Sequence, residues 1–494
     1  MRPTTDKASA MKTVSATTPT IGATATPPGL SRTHQMLHGP LLPTLLRLAT
    51  PNVIGLFAMT IIIGYDGYIL GRLGADALAG VALVFPLSML MLQMSGGGIG
   101  GAVTAAVARA LGAGRGEEAG RLAQQSLLIA GALAAVFTLV LLGFGRPVYA
   151  AMGGRGAALD AALAYSNVTF GGAVVIWCAN VLGAVVRGTG NMLLPAVMLV
   201  ATALIHVVLC PTLVFGWGPV PGLGAAGAAA SLLLANGTAA LVLAVHLMRQ
   251  GAAAPLNRSR WRLHAPLLRD ILRVGAPASM SPVLSNASIA VATAFVGSFG
   301  TAALAGYGVA ARLEYILVPS AFGFGTALTA MVATNMGAGQ PQRALRVAWL
   351  GAGIVAAITG TIGLTAAIAP APWMNLFTQD AAVREFGGAY LRIVGAFYGL
   401  YGLGLALFFA SQGAGRMFWP LAGSTARLVT VALGGWVCIY GLQASASGFF
   451  GMVAASLAVY GLTIALAIKL GSWTRASQPA GRLQATEARA GKRA

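Results

Sequence analysis

Of the 494 residues only 11 are acidic, and two of these, Asp66 and Glu314, lie inside long apolar runs. Asp66 sits in TIIIGYDGYILGRLG and Glu314 in GYGVAARLEYILVPS; the other acids fall in loops, tails or the edges of apolar runs. A carboxylate buried in a membrane costs roughly 2.5–3.5 kcal/mol on insertion scales and marks a functional site by default. Three or four residues from Asp66 stand Ile62, Ile63, Ile69 and Leu70, so nothing on its own helix can satisfy it. Its partner must be another helix, water or a ligand. Such a group can carry a proton and, when ionised, attract a cation; the plainer alternative is a structural carboxylate bonded to a neighbouring helix.

Glu314 is flanked by Ala310, Ala311, Leu317 and Val318, and Arg312, two residues away, points to nearly the opposite side of a helix. Pairing with Arg427 across helices would make Glu314 structural, and without it Glu314 is a second coupling candidate. His206, Asn180 and Cys210 are the polar or titratable side chains of the fourth and fifth apolar runs and possible partners for Asp66. A lone intramembrane histidine is more often a packing residue than a relay. Phe57, Tyr65 and Tyr68, with Met89, Met91 and Met94, offer the aromatic and thioether surface that suits a lipophilic cation, although lipid-facing packing explains such residues equally well. Pro51 and Pro277 take matching places where a proline loosens a helix and serves as a hinge.

ATP-driven transport and metal- or prenyl-dependent catalysis lack residues to carry them, and no enzyme is expected. There is no Walker motif, HExxH or DDxxD pair, and Cys178, Cys210 and Cys438 have no CxxC spacing that suggests a metal. Neither a metal nor a cofactor is expected.

The elements that must hold these residues are membrane helices. The chain is 57% hydrophobic and 9% charged with mean hydropathy +0.78, against about 25% charged in soluble domains. Apolar runs of about 20 residues, enough to cross a bilayer, recur at roughly 43–71, 78–108, 122–144, 161–186, 193–216, 224–248, 269–296, 304–335, 344–369, 389–411, 418–441 and 448–470. The expected fold is an all-α polytopic membrane protein of twelve transmembrane helices. Continuous apolarity excludes a barrel, whose strands alternate.

The net charge of +20 is spread over loops. With the N-terminus inside, most Lys and Arg fall in residues 1–47, the 249–273 region, the other inner loops and the C-terminal tail. Topology explains this charge, so nucleic acid is not expected as a partner, membrane lipid is, and both termini are placed in the cytoplasm.

A repeat divides the chain. LRLATP (46–51) returns as LRVGAP (272–277) and GADALAG (74–80) as GTAALAG (300–306), at an offset of 226. GGGIGGAVTAAVARALGAG (96–114) returns as AFGFGTALTAMVATNMGAG (321–339), and GTGNMLLP (188–195) as GAGRMFWP (413–420), at 225. Six helices per copy give both copies the same orientation. The expected organisation is a disordered tail (1–42), an N-lobe (43–248), a basic linker (249–268), a C-lobe (269–470) and a basic tail (471–494). Two parallel lobes that rock about a central site form a transport architecture.

The features GYDGYILGRLGADALAG, the GAG after the second and eighth spans, RGTGNMLLP and LVFGWGPVPGLGAAGAAAS resemble the multidrug and toxic compound extrusion (MATE) family over nearly all of 43–470. The resemblance implies two lobes arranged in a V, and a monomer of the bacterial inner membrane that exports small organic cations in exchange for protons or sodium. Asp66, 15 residues after Pro51, is similar to the DinF-like branch, in which that aspartate takes the incoming cation, favours a bent first helix and displaces the drug. Where that branch often carries Asn and, four residues on, Asp, this chain has His206 and Cys210. Proton coupling is therefore expected over sodium, with His206 as partner. Glu314 resembles the acidic residue some members carry in helix eight, which implies a C-lobe ion site. The rival readings are a lipid-linked oligosaccharide flippase of the same superfamily, a major-facilitator permease, and a membrane receptor or scaffold without transport.

Overall fold

The computed structural model describes residues 28–249, 263–471 and 473. Membrane-length apolar helices run Leu41–Gly71, Ala75–Gly112, Gly116–Ala151, Leu193–Phe215 and Ala225–Met248 in the first half, and Ala265–Gly297, Thr301–Gly337, Pro341–Ile368, Ala381–Ala414, Phe418–Gly441 and Ala446–Lys469 in the second. Gly156–Gly171 and Ala173–Gly188, bent by 48° at Gly172, complete the first half as its fourth span. The twelve expected spans are all present, numbered first to twelfth below. Helices are the form in which a chain in lipid satisfies its own backbone.

The repeat is conformational as well as sequential. Gly114 and Gly339, in matching loops, have φ of 74° and 72°, and Gly190 and Gly415 have 80° and 73°. Only glycine takes that left-handed conformation without strain, so the paired GAG and GTG sequences are helix terminators. Thr104 donates to the Ala184 carbonyl at 2.9 Å and its repeat mate Thr329 to the Phe409 carbonyl at 2.9 Å.

Glycines also bring the lobes together. A Cβ on Gly112 would lie 2.1 Å from the Thr334 carbonyl oxygen, and one on Gly337 would lie 2.1 Å from that of Arg109, so the second and eighth spans cross backbone to backbone. Gln412 donates to the carbonyls of Gly97 and Gly98 at 2.9 and 3.1 Å, from a lobe to its opposite number. A π-helical turn at Gln93–Ile99 shapes the backbone there. Asn52 donates to Thr326 at 3.0 Å, and Arg109 pairs with Asp270 at 3.1 Å. The Gly112, Gly337 and Arg109–Asp270 contacts lie where the second and eighth spans end and the seventh begins, and the Asn52 and Gln412 bonds extend the contact deeper along the spans. The lobes are closed there.

Residues 28–38 depart from the expected disordered tail. Pro28–His38 is a helix whose Met36 is 2% exposed, and the Met36 carbonyl accepts from Asn335 at 3.2 Å. The segment lacks an apolar run, yet Met36 and its carbonyl dock it on the eighth span, and Arg343 donates to the Gly39 carbonyl just beyond it. Residues 1–27, most of the basic linker and nearly all of the C-terminal tail lie outside the described residues. The first span passes helically through Pro51, and the seventh through both Pro277 and Pro282. Each proline leaves the carbonyl four residues earlier without its helical donor, which is Arg47 for Pro51 and Arg273 for Pro277.

Candidate functional site

Asp66 finds its partner on the fifth span. Its Oδ1 lies 2.7 Å from His206 Nε2, with His206 fully buried and the Asp66 side chain 19% exposed. Cys210, one helical turn beyond His206, directs Sγ to the same carboxylate oxygen at 3.9 Å. Spacing of i and i+4 puts both side chains on one face of the helix. Tyr65 donates to the Val207 carbonyl at 2.9 Å and ties the first span to the fifth beside the carboxylate.

Ser231, on the sixth span, completes the arrangement. Its Oγ is 2.9 Å from His206 Nδ1 and 2.8 Å from the Ala228 carbonyl. A carbonyl only accepts, so it takes the hydroxyl proton and leaves the Oγ lone pair for Nδ1–H. With Nδ1 as donor, Nε2 and Asp66 share a single proton: either a carboxylic acid donates to neutral imidazole, or imidazolium donates to carboxylate. Transfer of one proton along the 2.7 Å contact interconverts the two. Second-sphere bonds of this kind fix a histidine's tautomer.

The remaining candidates separate. Asn180 donates to Ser95 at 3.0 Å between the fourth and second spans and is not brought to Asp66. Glu314 opens the helical segment after a turn at Arg312 and Leu313, so Arg312 is exposed at a break in the eighth span and lies over the Phe377 ring at 5.4 Å. Glu314 Oε1 accepts from Tyr390 at 3.3 Å and Tyr398 at 3.5 Å. Arg427 acts on Glu314 through space, but among the described residues no ion pair joins them within 4.0 Å. Arg427 is 5% exposed and stacks over Tyr401 at 4.9 Å. Of the two alternatives, the direct Glu314–Arg427 pair is not formed; both groups sit in a tyrosine-lined cluster.

Met91 is 1% exposed and packs in the hydrophobic core. Phe57, Tyr65, Met89 and Met94 are half-buried, and Tyr68 is 62% exposed. A small cavity of about 20 Å³ lies between the lobes, bordered by Thr104, Arg187, Phe322, Thr326 and Phe409. Sequence reading missed these residues as cavity lining. Repeat alignment could have found them, since Thr104 and Thr329 are mates and Arg187 is the mate of Gln412. Ser231 was missed because a lone serine in an alanine-rich helix carries no signal by itself.

The MatE family model matches residues 51–212 and again 277–437, one match per lobe. The FAD transporter of Shewanella oneidensis is 27% identical over 388 residues, covering 76% of this chain and 83% of that protein. A probable multidrug resistance protein NorM of Deinococcus radiodurans is 28% identical over 442 residues, covering 86% and 93%. In fold, the crystal structure of a MATE in the straight conformation superposes with a TM-score of 0.81 at 22% identity, covering 89% of this chain and 98% of that one. With the family pattern on both lobes and the same arrangement of helices, this chain belongs to the MATE family of multi-pass membrane efflux transporters.

Proposed function

We propose that the protein is a proton-coupled exporter of lipophilic organic cations, working in the bacterial inner membrane with both termini in the cytoplasm. The observation that carries this reading is the 2.7 Å contact between Asp66 and the fully buried His206, with His206 held from behind by Ser231. The pair offers one place for one proton. No enzymatic step and no resident cofactor is part of this reading.

The cycle follows from charge. With its proton, the Asp66–His206 pair is neutral overall and lies comfortably between the first and fifth spans. Without it, the carboxylate faces neutral imidazole and seeks a cation, which a cationic cargo entering the N-lobe supplies. Proton and cargo thus compete for one negative charge, and competition for a common site is what exchange requires. The first span, free of one helical hydrogen bond at Pro51, is the element that responds. One proton moving inward for one monovalent cation moving outward carries no net charge, so the pH difference drives the exchange, each unit being worth about 1.4 kcal/mol or tenfold accumulation. Glu314 we assign a structural role, because its carboxylate is already met by two tyrosine hydroxyls and faces Arg427. The histidine and cysteine on the fifth span favour protons over sodium, which prefers hard oxygen ligands.

A second reading of the cargo rests on Arg187, whose buried Nε has no hydrogen-bond partner and which borders the interlobe cavity with Thr104 and Thr326. A guanidinium there suits cargo that carries an anionic group, as the FAD transporter of Shewanella oneidensis would require. The test is efflux from proteoliposomes under an imposed pH gradient, with and without sodium, using a fluorescent lipophilic cation and, separately, a flavin nucleotide. Proton-driven, sodium-independent export lost in Asp66→Asn supports the coupling role. Equal export by the variant would refute it, and export of the flavin alone would decide for the second cargo.

A further inference from the structure

We propose that Asp66, His206 and Cys210 form a binding site for a borderline-soft divalent metal ion, of which Zn²⁺ is the type. The proposal rests on ligand geometry and stands whether or not protons drive transport. One carboxylate oxygen, one imidazole nitrogen and one thiol sulfur lie within 4.8 Å of one another. Ligands held by zinc at about 2.0–2.3 Å stand roughly 3.3–3.8 Å apart in a tetrahedron, so side-chain adjustments of about 1 Å close the site. The set mixes O, N and S donors, which suits zinc and its neighbours and poorly suits sodium, calcium or magnesium.

Three further observations favour a metal. His206 and Cys210 stand one turn apart on the fifth span, so a single rigid helix presents two ligands. Ser231 accepts from Nδ1 and leaves the Nε2 lone pair aimed at Asp66, the orientation a histidine ligand needs. Asp66 keeps 19% exposure while His206 is fully buried, so the carboxylate is the less enclosed of the two and the side from which an ion would approach. On binding, Cys210 gives up its thiol proton and the metal takes the place of the proton shared by Asp66 and His206. Metal and coupling proton exclude one another.

The test uses the full chain in nanodiscs, with any affinity tag removed. His34 and His38, whose rings lie 4.7 Å apart one turn from each other, are replaced by glutamine in every sample to remove a competing imidazole pair. Co²⁺ serves as the spectroscopic probe. The expected result is one equivalent bound with a sulfur-to-cobalt charge-transfer band and the intense visible bands of a four-coordinate ion, all displaced by Zn²⁺. The charge-transfer band vanishes in Cys210→Ser, persists in Cys178→Ser and Cys438→Ser, and needs at least about tenfold more Co²⁺ in His206→Gln. Ser231→Ala, which leaves all three ligands in place, weakens binding by about tenfold. Absence of the band at equimolar cobalt, or its survival in Cys210→Ser, overturns the proposal. Should Cys210→Ser not fold, Asp66→Asn takes its place, with at least tenfold weaker binding expected and unchanged binding overturning it. Efflux is measured in chelator-treated liposomes, so its failure there counts against the transport reading and leaves the cobalt titration to decide the metal site.

Discussion

Replacing Gly112 with alanine will push the lobes apart at their closed end. The added Cβ would stand 2.1 Å from the Thr334 carbonyl oxygen and 2.9 Å from its carbon, where carbon contacts normally settle at about 3.5–4.0 Å. Both atoms are backbone within a helix, so no side chain can swing aside, and the second and eighth spans must separate by roughly 1.5 Å. Overpacking of this kind costs about 1–3 kcal/mol. Only the closed-end conformation bears that cost, so its population relative to the opened state falls by about 5- to 150-fold. Glu117 and Gln342 are exposed repeat mates flanking the crossing, and spin labels on unnatural side chains there leave the three native cysteines untouched. The distance distribution between them will gain a longer component in Gly112→Ala and in its mate Gly337→Ala. Gly64→Ala, whose Cβ meets nothing within 4 Å, will match the wild type. An unchanged distribution in both crossing variants would show that the lobes are not held by this contact and would refute the reasoning.

Other outcomes follow from the same contacts. Ser231→Ala strands His206 Nδ1–H in a fully buried place, a loss of about 1–3 kcal/mol, and proton-driven efflux should fall by about tenfold or more while Tm drops; wild-type coupling in this variant would remove Ser231 from the site. Glu314→Gln keeps an acceptor for Tyr390 and Tyr398, so efflux and its proton dependence should stay within about twofold of wild type, and loss of coupling would restore Glu314 as an ion site. Arg427→Leu leaves the Glu314 carboxylate without its nearby cation, and by analogy with broken buried pairs should lower stability by up to about 3–5 kcal/mol, read as a fall in Tm that Glu314→Gln in the same chain partly restores. Asn52→Ala removes the 3.0 Å bond to Thr326, worth about 1 kcal/mol, and should lengthen the Glu117–Gln342 distances in the direction of Gly112→Ala but by less; no change would place the lobe contact in packing alone.

These expectations share a physical theme. The coupling candidate lies wholly within the N-lobe, while the contacts that close the transporter lie between lobes, so the two must be connected by an element that touches both. The first span does so: Asp66 faces His206 near one end, Asn52 bonds Thr326 of the other lobe near the opposite end, and Pro51 lies beside Asn52. A change of charge at Asp66 therefore acts on a helix whose other end is part of the interlobe seal.

What the sequence determined by itself was whatever depends on composition along the chain. Continuous apolar runs can only be membrane helices, because lipid offers the backbone no partner, and the matched words at offsets of 225 and 226 disclose two parallel lobes without any coordinates. The isolation of Asp66 was equally legible, since its neighbours at helical spacing are isoleucine and leucine, and so was the need for a partner on another span. Tertiary structure alone decided who that partner is. His206, Cys210 and Ser231 are separated from Asp66 by more than a hundred residues, and only the packing of the fifth and sixth spans on the first selects them while leaving Asn180 with Ser95. It also decided that Arg427 stacks on Tyr401 instead of pairing with Glu314, that Met91 faces the core, and that residues 28–38 dock as a helix. Each depends on the direction in which a side chain leaves its helix after the helices have packed, a property that spacing along one chain constrains but does not fix.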